Sequence, residues 1–272
     1  MRLDLHVHTT ASDGACDPPE VIELAVKSEL DVLSITDHDT VGALEMAVNA
    51  VGNRSLQLIP GIEVSSTWDG VEYHFLGYFV DPDGASVRAH ERYALENRER
   101  RMEDMVDRLQ QQGLLIVMAD VLDEAGPNRF SIGRPHLAHA LVTRGYASSV
   151  TDAFDRLIGN RHPAYIPTRL ASPDQAIQVI LGSGGIPVWA HPPLDSLDCL
   201  LPEFLRAGLR GLEVHRPRSR LKQARRLQRA AREAGLLVSG GSDWHDQDRN
   251  GALGNFFVTG EQVGELLEAG GR

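Results

Sequence analysis

Apolar and polar positions along this chain follow two alternating periods. Short apolar runs at residues 3–7, 32–35, 56–64, 71–79, 186–190, 211–214 and 236–239 have the length and flanking turns of strands. Between them apolar residues recur at helical spacing, as at Val21, Leu24, Ala25 and Leu30 behind the Pro18-Pro19-Glu20 helix start. Further helices are predicted over about 41–50, 173–181, 199–207 and 220–234, the last of them long and basic. Asp69-Gly70 sits between two strand-like runs and predicts hairpin-like pairing there. The order is that of βα units, which predicts an α/β barrel of about seven strands.

The pattern breaks after Asp81-Pro82-Asp83-Gly84. From 85 to about 165 the chain reads as charged and helical, without a convincing strand, and predicts an insertion. Arg92, Arg98, Arg100, Arg101 and Arg108 alternate there with Glu91, Glu96, Glu99 and Glu103, the pattern of a solvated helix face. The expected organisation is a barrel built from 1–84 and 165–272, with a helical subdomain of 85–164 capping the substrate.

Seven of the eleven histidines adjoin the strand-like runs: His6, His8, His38, His74, His191, His215 and His245. A barrel gathers its strand ends at one mouth, and imidazoles and carboxylates gathered there form a donor set for divalent transition metals. His6 and His8 are two apart on a strand, so both leave the same face and can reach one ion. Composition narrows the partners. A net charge of −11 argues against nonspecific attraction to nucleic acid or anionic membrane, while bound ions would reverse the sign locally at a site. Cys16 and Cys199 are too isolated for a disulfide framework or thiolate zinc site. With no apolar run of membrane length and no leader ahead of the first strand, the chain reads as soluble and cytoplasmic, with no stable protein partner implied.

Together, His6-Val7-His8-Thr9 with Ser12-Asp13-Gly14, Thr36-Asp37-His38-Asp39-Thr40, Gly61-Ile62-Glu63, His74, Ala190-His191-Pro192, Glu213-Val214-His215 and Ser242-Asp243-Trp244-His245 resemble the PHP family, the polymerase and histidinol phosphatase metal-dependent phosphoesterases. The resemblance covers roughly 1–84 and 165–250. It implies a distorted (β/α)7 barrel related to the amidohydrolases, holding two or three divalent ions. Mn²⁺ suits the mixed His and carboxylate donors best, with Zn²⁺ and Fe²⁺ open. The implied ligands are His6, His8, Glu63 and Asp243 for a first ion, Glu63, His74 and His191 for a second, and Asp13, His38 and His245 for a third, with Glu63 as the bridge.

His6 and His8 could fill a barrel interior, and Glu63 could lie on the surface. Asp37 should point away from His38, toward a supporting or helix-capping role. His215 has no ion in this scheme and is assigned to the substrate or to proton donation, against a structural role. His90, His136, His139 and His162 read as packing or surface residues. Arg129-Phe130-Ser131-Ile132-Gly133-Arg134-Pro135 could bind phosphate through Arg129, Ser131 and Arg134, or simply turn into a helix, and Arg216 could contact a phosphate near the ions.

The Gly133–His136 segment resembles the family's nucleotide phosphoesterase branch. That branch removes the 3′-phosphate of nucleoside 3′,5′-bisphosphates and trims short RNA from the 5′ end. Catalytic roles are expected for Glu63, Asp243 and His215. The alternatives are a histidinol-phosphate-type or other small-molecule phosphomonoesterase, a nuclease of longer chains, or a non-catalytic metal-binding scaffold.

Overall fold

The chain begins with β1 (Arg2–Val7), α1 (Pro18–Lys27), β2 (Val32–Ile35), α2 (Leu44–Val51), β3 (Gln57–Trp68) and β4 (Val71–Tyr78) in a computed structural model that describes residues 1–126, 130–167 and 170–271. Helices follow without an intervening strand: α3 (Ala85–Gln111), α4 (Met118–Ala125), α5 (Arg134–Thr143), α6 (Val150–Ala153) and a π-helical turn (Phe154–Ile158). Alternation then resumes with α7 (Pro173–Gly182), β5 (Ile186–Trp189), α8 (Leu197–Ala207), β6 (Gly211–His215), α9 (Leu221–Ala234) and β7 (Leu237–Gly240). The chain ends with α10 (Gln247–Asn250), β8 (Val258–Thr259) and α11 (Gly260–Ala269). Local chemistry sets these boundaries. Asp17 accepts from the Glu20 amide ahead of two prolines that open α1, and Ser172 with Gln175 caps α7 in the same way.

The eight strands form one nearly closed sheet in the order β7-β6-β5-β4-β3-β2-β1-β8. The pairs β1–β2, β2–β3, β5–β6 and β6–β7 are parallel, whereas β4 runs against β3, as the Asp69-Gly70 turn predicts, and also against β5. Seven of these strands coincide with the predicted runs. The eighth, β8, has only two residues and pairs antiparallel with the start of β1, too short to leave a period in the sequence. Beyond β8, the segment after β7 closes the ring on β1: His8 N–H donates to the Trp244 carbonyl at 2.9 Å. A Cβ at Gly241 would sit 2.4 Å from the His6 nitrogen, so only glycine allows that approach.

Three apolar clusters support the frame. One packs α1, α2, α7, α8 and α9 against strand side chains such as Leu33, Phe75, Trp189 and Leu212. Within it Phe204 stands edge-on to Trp189 with centroids 4.7 Å apart, a contact worth about 0.5–1.5 kcal/mol beyond its buried area. A second joins β1, β4 and β5 to α11. The third, Met102, Met105, Leu109, Val121, Leu137, Leu141 and Ile158 among others, lies within the helical stretch between β4 and α7. The start of α3 belongs instead to the barrel, since Val87 joins the first cluster. Among the described residues no helix is long and apolar enough to cross a membrane.

Candidate metal centre and its cavity

Strand ends deliver the donors. β1 carries His6 and leads directly into His8, β2 into His38, β5 into His191, and β7 into Asp243 and His245. His74 comes from the first half of β4 because that strand runs in the opposite sense. Glu63 lies in β3, fully buried, and its two oxygens divide the cluster. Oε2 lies 3.2 Å from His6 Nε2, 3.3 Å from His8 Nε2 and 3.2 Å from His38 Nδ1. Oε1 lies 3.1 Å from His74 Nδ1 and 3.0 Å from His191 Nε2. Asp243 faces the same two β1 imidazoles, 3.4 Å from His6 and 3.3 Å from His8. Asp13 lies 3.4 Å from His245 Nε2 and 3.8 Å from both His8 Nδ1 and His38 Nε2.

All nine residues expected as ligands thus converge, with one difference in grouping. His38 and His8 do not each belong to a single set. Three donor groups have ligand atoms within 4.8 Å of one another: His8, Asp13, His38 and His245; His6, His8 and Asp243; and His38, Glu63 and His74. The loop carrying Asp13 is held by Asp37, which accepts from the Thr9 amide, the Thr9 hydroxyl and the Ser12 hydroxyl at 2.7, 2.7 and 2.6 Å. A Cβ at Gly14 would strike the His8 carbonyl at 2.5 Å, so glycine lets this loop fold onto the strand end. Asp243 and His191 sit at φ of 54° and 33°, left-handed conformations that cost non-glycine residues of order 1–3 kcal/mol and mark backbone held for its side chains.

Electrostatics show what the cluster lacks. Burial would push the Glu63 and Asp243 carboxyls up, yet the facing imidazoles, His6 foremost, hold both well below the usual carboxylate range. Conversely, burial would push His8 down, but Asp243 and Glu63 raise it to about 9, and His6 and His74 are raised as well. His38 goes the other way, to about 4, because burial and the neighbouring His8 and His74 outweigh Glu63 and Asp13. Both ring nitrogens of His8 and Nδ1 of His38 are buried without a hydrogen-bond partner. Orphaned imidazole nitrogens beside carboxylate oxygens are the donor set divalent cations require, so the residues present fit two or three such ions.

Glu213 is a participant that sequence reasoning passed over. Fully buried in β6, it binds His6 Nδ1 at 2.8 Å and accepts from the His191 amide at 2.7 Å, leaving His6 Nε2 aimed at Glu63 and Asp243. Asp4 acts nearby. It accepts from the Ser242 amide at 2.8 Å, fixing the segment that carries Asp243 and His245, and burial pushes its carboxyl up to about 7 against the pull of that bond. The pairing of Glu213 with His6 joins β6 to β1 across the ring, two strands that are not neighbours in the sheet, so nothing local in the sequence marks it.

His215 is not brought into the site. A register shift between Glu213 and His215 breaks the alternation of β6, and the ring is half-buried with Nδ1 3.4 Å from Gln262 of α11. It is not among the described residues that line the cavity over the cluster.

That cavity, about 1270 Å³, is larger than the usual small-ligand pocket of roughly 300–1,000 Å³. Its walls include Ser131, Arg134, His139, Phe154 and Arg216 beside the metal-site residues, and two arginines of α3, Arg98 and Arg101. Arg134 rests on Asn160 at 2.7 Å, with its guanidinium 5.3 Å from the rings of both Phe154 and Tyr165. Arg101 is tied by Nε to the Ile166 carbonyl at 2.7 Å, while its Nη2 is buried without a partner. Burial and the neighbouring Arg134 lower Arg101 to about 10. Arg129 lies outside the described residues.

The solvated face expected for the α3 arginines holds for Arg92, Arg100 and Arg108, which are exposed, and is corrected for Arg98 and Arg101. Arg98 is buried, pairing through Nε and Nη2 with Asp39 and donating to Ser65 Oγ at 2.8 Å, while His90 holds the other Asp39 oxygen at 2.8 Å. Their partner comes from a distant segment, which the local charge pattern does not reveal. His136 is also engaged, accepting from the Gly133 amide at the start of α5.

Comparison with known proteins bears on this centre. The sequence profile of the PHP domain matches residues 4–83. The chain is 32% identical over 251 residues to the 5′-3′ exoribonuclease Rnm of Escherichia coli strain K12, covering 89% of this chain and 84% of the relative. It is 32% identical over 258 residues to a 3′,5′-nucleoside bisphosphate phosphatase of Chromobacterium violaceum, covering 92% and 89%. A solved structure from Bifidobacterium adolescentis, a proposed metal-dependent phosphoesterase, superposes with a TM-score of 0.86 at 33% identity over 97% of this chain and 95% of that one. Likeness of this extent, spanning barrel and helical stretch together, means that the chain belongs to the PHP family of metal-dependent phosphoesterases.

Proposed function

We propose that the protein hydrolyses the 3′-phosphate of nucleoside 3′,5′-bisphosphates and releases 5′-terminal nucleotides from short RNA. The observation that carries this reading is a single cavity joining the carboxylate–imidazole cluster to an arginine wall built by Arg101, Arg134 and Ser131. A substrate with one reacting phosphate needs only the cluster. The arginine wall gives a second phosphate a place of its own.

His6, His8, Glu63 and Asp243 would hold one ion, Glu63, His74 and His191 a second, and Asp13, His38 and His245 a third, with His8 and His38 adjoining more than one. Such ions supply Lewis acidity, acidifying water and neutralising the non-bridging phosphoryl oxygens. The protein's own groups do the rest. Glu213 fixes the His6 ring, and Asp4 fixes the segment that carries Asp243. Asp243, with 26% of its side chain accessible against 1% for Glu63, accepts a hydrogen bond from the attacking water and orients it. In the reaction the water oxygen bonds to phosphorus, the bond from phosphorus to O3′ breaks, and O3′ gains a proton. Arg216, 3.6 Å from Glu213, steadies the reacting phosphate from the β6 side. Phe154 and Tyr165 hold the Arg134 guanidinium in position, and the unpartnered Arg101 Nη2 lies ready for the same anion.

Phosphate release from a nucleoside 3′,5′-bisphosphate, a nucleoside 3′-monophosphate and histidinol phosphate tests the reading. The bisphosphate should show the highest kcat/KM. Preference for histidinol phosphate would overturn the substrate assignment and leave the family's coarser phosphoesterase activity intact.

A further inference from the structure

Outside the cavity, one stretch of charge stands unbalanced. Between Glu213 and Glu233 the sequence has no acidic residue but carries Arg218, Arg220, Lys222, Arg225, Arg229 and Arg232, in a chain whose net charge is −11. α9 buries Leu227 and Ala231 on its inner side. Lys222, Arg225, Arg229 and Arg232 are exposed, and their spacings of three, four and three residues place them in one row on the helix. At 1.5 Å per residue the row is about 15 Å long. Among the described residues none of these four makes an ion pair, whereas Arg226, off the row, pairs with Asp198 at 2.7 Å. Like charges at such spacing weaken a helix.

The row follows the site along the chain. Arg216 lines the cavity, Arg218 turns the chain through a left-handed φ of 59°, and α9 starts three residues later. Guanidinium dominates over ammonium along it, which favours bidentate contact with phosphate. Apart from Leu221 at the first helical position, the exposed residues of α9 include no large apolar side chain of the kind that enters a lipid interface.

We infer that the exposed face of α9 binds the phosphate backbone of a single-stranded RNA whose 5′-terminal nucleotide occupies the cavity. The inference rests on the proposed function for the reaction at the 5′ end, and on the arginine row alone for binding. Arg216 passes the chain from the cluster to α9, and the row then contacts successive phosphates on the 3′ side.

The test compares the purified protein with the variant K222Q/R225Q/R229Q/R232Q, in which glutamine preserves helix propensity and no cavity residue changes. Fluorescence anisotropy follows a hydrolysis-resistant phosphorothioate RNA about ten nucleotides long, a length within the usual range of single-strand sites. Four lost phosphate contacts should flatten the salt dependence of log affinity by roughly 0.7 each, so between 50 and 200 mM salt the wild type should lose about fifty-fold more affinity than the variant. Steady-state kinetics on the nucleoside bisphosphate should be the same for both proteins. Equal RNA affinity and equal salt slopes would overturn the inference. So would loss of binding to phosphatidylserine vesicles with RNA binding unchanged, which would assign the row to a lipid surface. If neither protein hydrolyses the bisphosphate but the RNA slopes still differ, the proposed function falls and the binding surface stands.

Discussion

The strand-end cluster and the arginine wall opposite it are built on contrary principles. In the cluster five imidazoles press on one carboxylate, Glu63, and ring nitrogens of His8 and His38 are left without hydrogen bonds. The arginine wall is largely satisfied from within: Arg98 by Asp39 and Ser65, Arg101 by Ile166, Arg134 by Asn160. A group of donors that cannot satisfy one another is completed by cations. A group already anchored by one edge keeps its geometry and offers the other edge to a ligand.

The largest effect should come from breaking the cluster at its centre. Glu63→Ala removes the carboxylate shared by five histidines, and because loss of a partner merely supporting a ligand already costs about 10–100-fold, turnover should fall by roughly three orders of magnitude or more. Phosphate-release kinetics, with circular dichroism to verify folding, measure this. Near-normal turnover would remove Glu63 from the centre.

The second effect concerns the joint between the regions. Arg98→Met strips the buried Asp39 carboxylate of its guanidinium and leaves only His90 and the Ser65 amide on its other oxygen, which should cost about 3–5 kcal/mol and lower Tm by roughly 6 °C or more. Burial would raise the Asp39 carboxyl, but Arg98 and then His90 hold it far below the usual range. That stability is present above the unfolded carboxyl pKa and lost only as pH falls through the lowered folded value, so the wild-type pair should survive mild acid. An unchanged Tm in thermal unfolding would show that apolar contacts alone join α3 to the barrel.

These two regions also differ in how far they could be read from sequence. His6, His8, His38, Glu63 and His191 stood out because strand period and strand ends place them together whatever the details of packing. His215 followed the same logic and failed, since the irregularity after Glu213 changes which way a side chain points without changing the apolar pattern. Arg98 and Arg101 were obscured for a different reason. Glutamates surround them in sequence, while the groups that bury them, Asp39 and the Ile166 carbonyl, come from elsewhere in the fold. The spacing did hold a signal: Ala94, Arg98, Arg101, Met102 and Met105 form one buried stripe on α3.

A weaker perturbation separates the arginine wall from the reacting phosphate. Arg134→Ala should lower kcat/KM for the nucleoside bisphosphate by about tenfold to a hundredfold, the worth of a charge-assisted hydrogen bond of roughly 1.5–3 kcal/mol. The 3′-monophosphate should respond much less. Equal losses on both substrates would take Arg134 away from the second phosphate.

The smallest effect tests whether the cluster's donors are nitrogen and oxygen alone. Cys16 lies in the loop beside Asp13, and burial, with Glu20 next to it, pushes its thiol up to about 11. A raised thiol pKa means that the protonated form persists through neutral pH, so alkylation at pH 8 should be slower than for an exposed free cysteine. Adding or removing metal should leave that rate unchanged. Metal-dependent protection of Cys16 would make it a ligand.

Hydrolysis should depend on ions held by the strand-end residues. The most direct measurement is phosphate release together with metal content before chelation, after chelation and after addition of Mn²⁺. Two or three divalent ions per chain are expected as purified, with a folded but inactive protein once they are removed and recovered activity when Mn²⁺ returns. Full activity in protein shown to be free of metal would contradict this dependence.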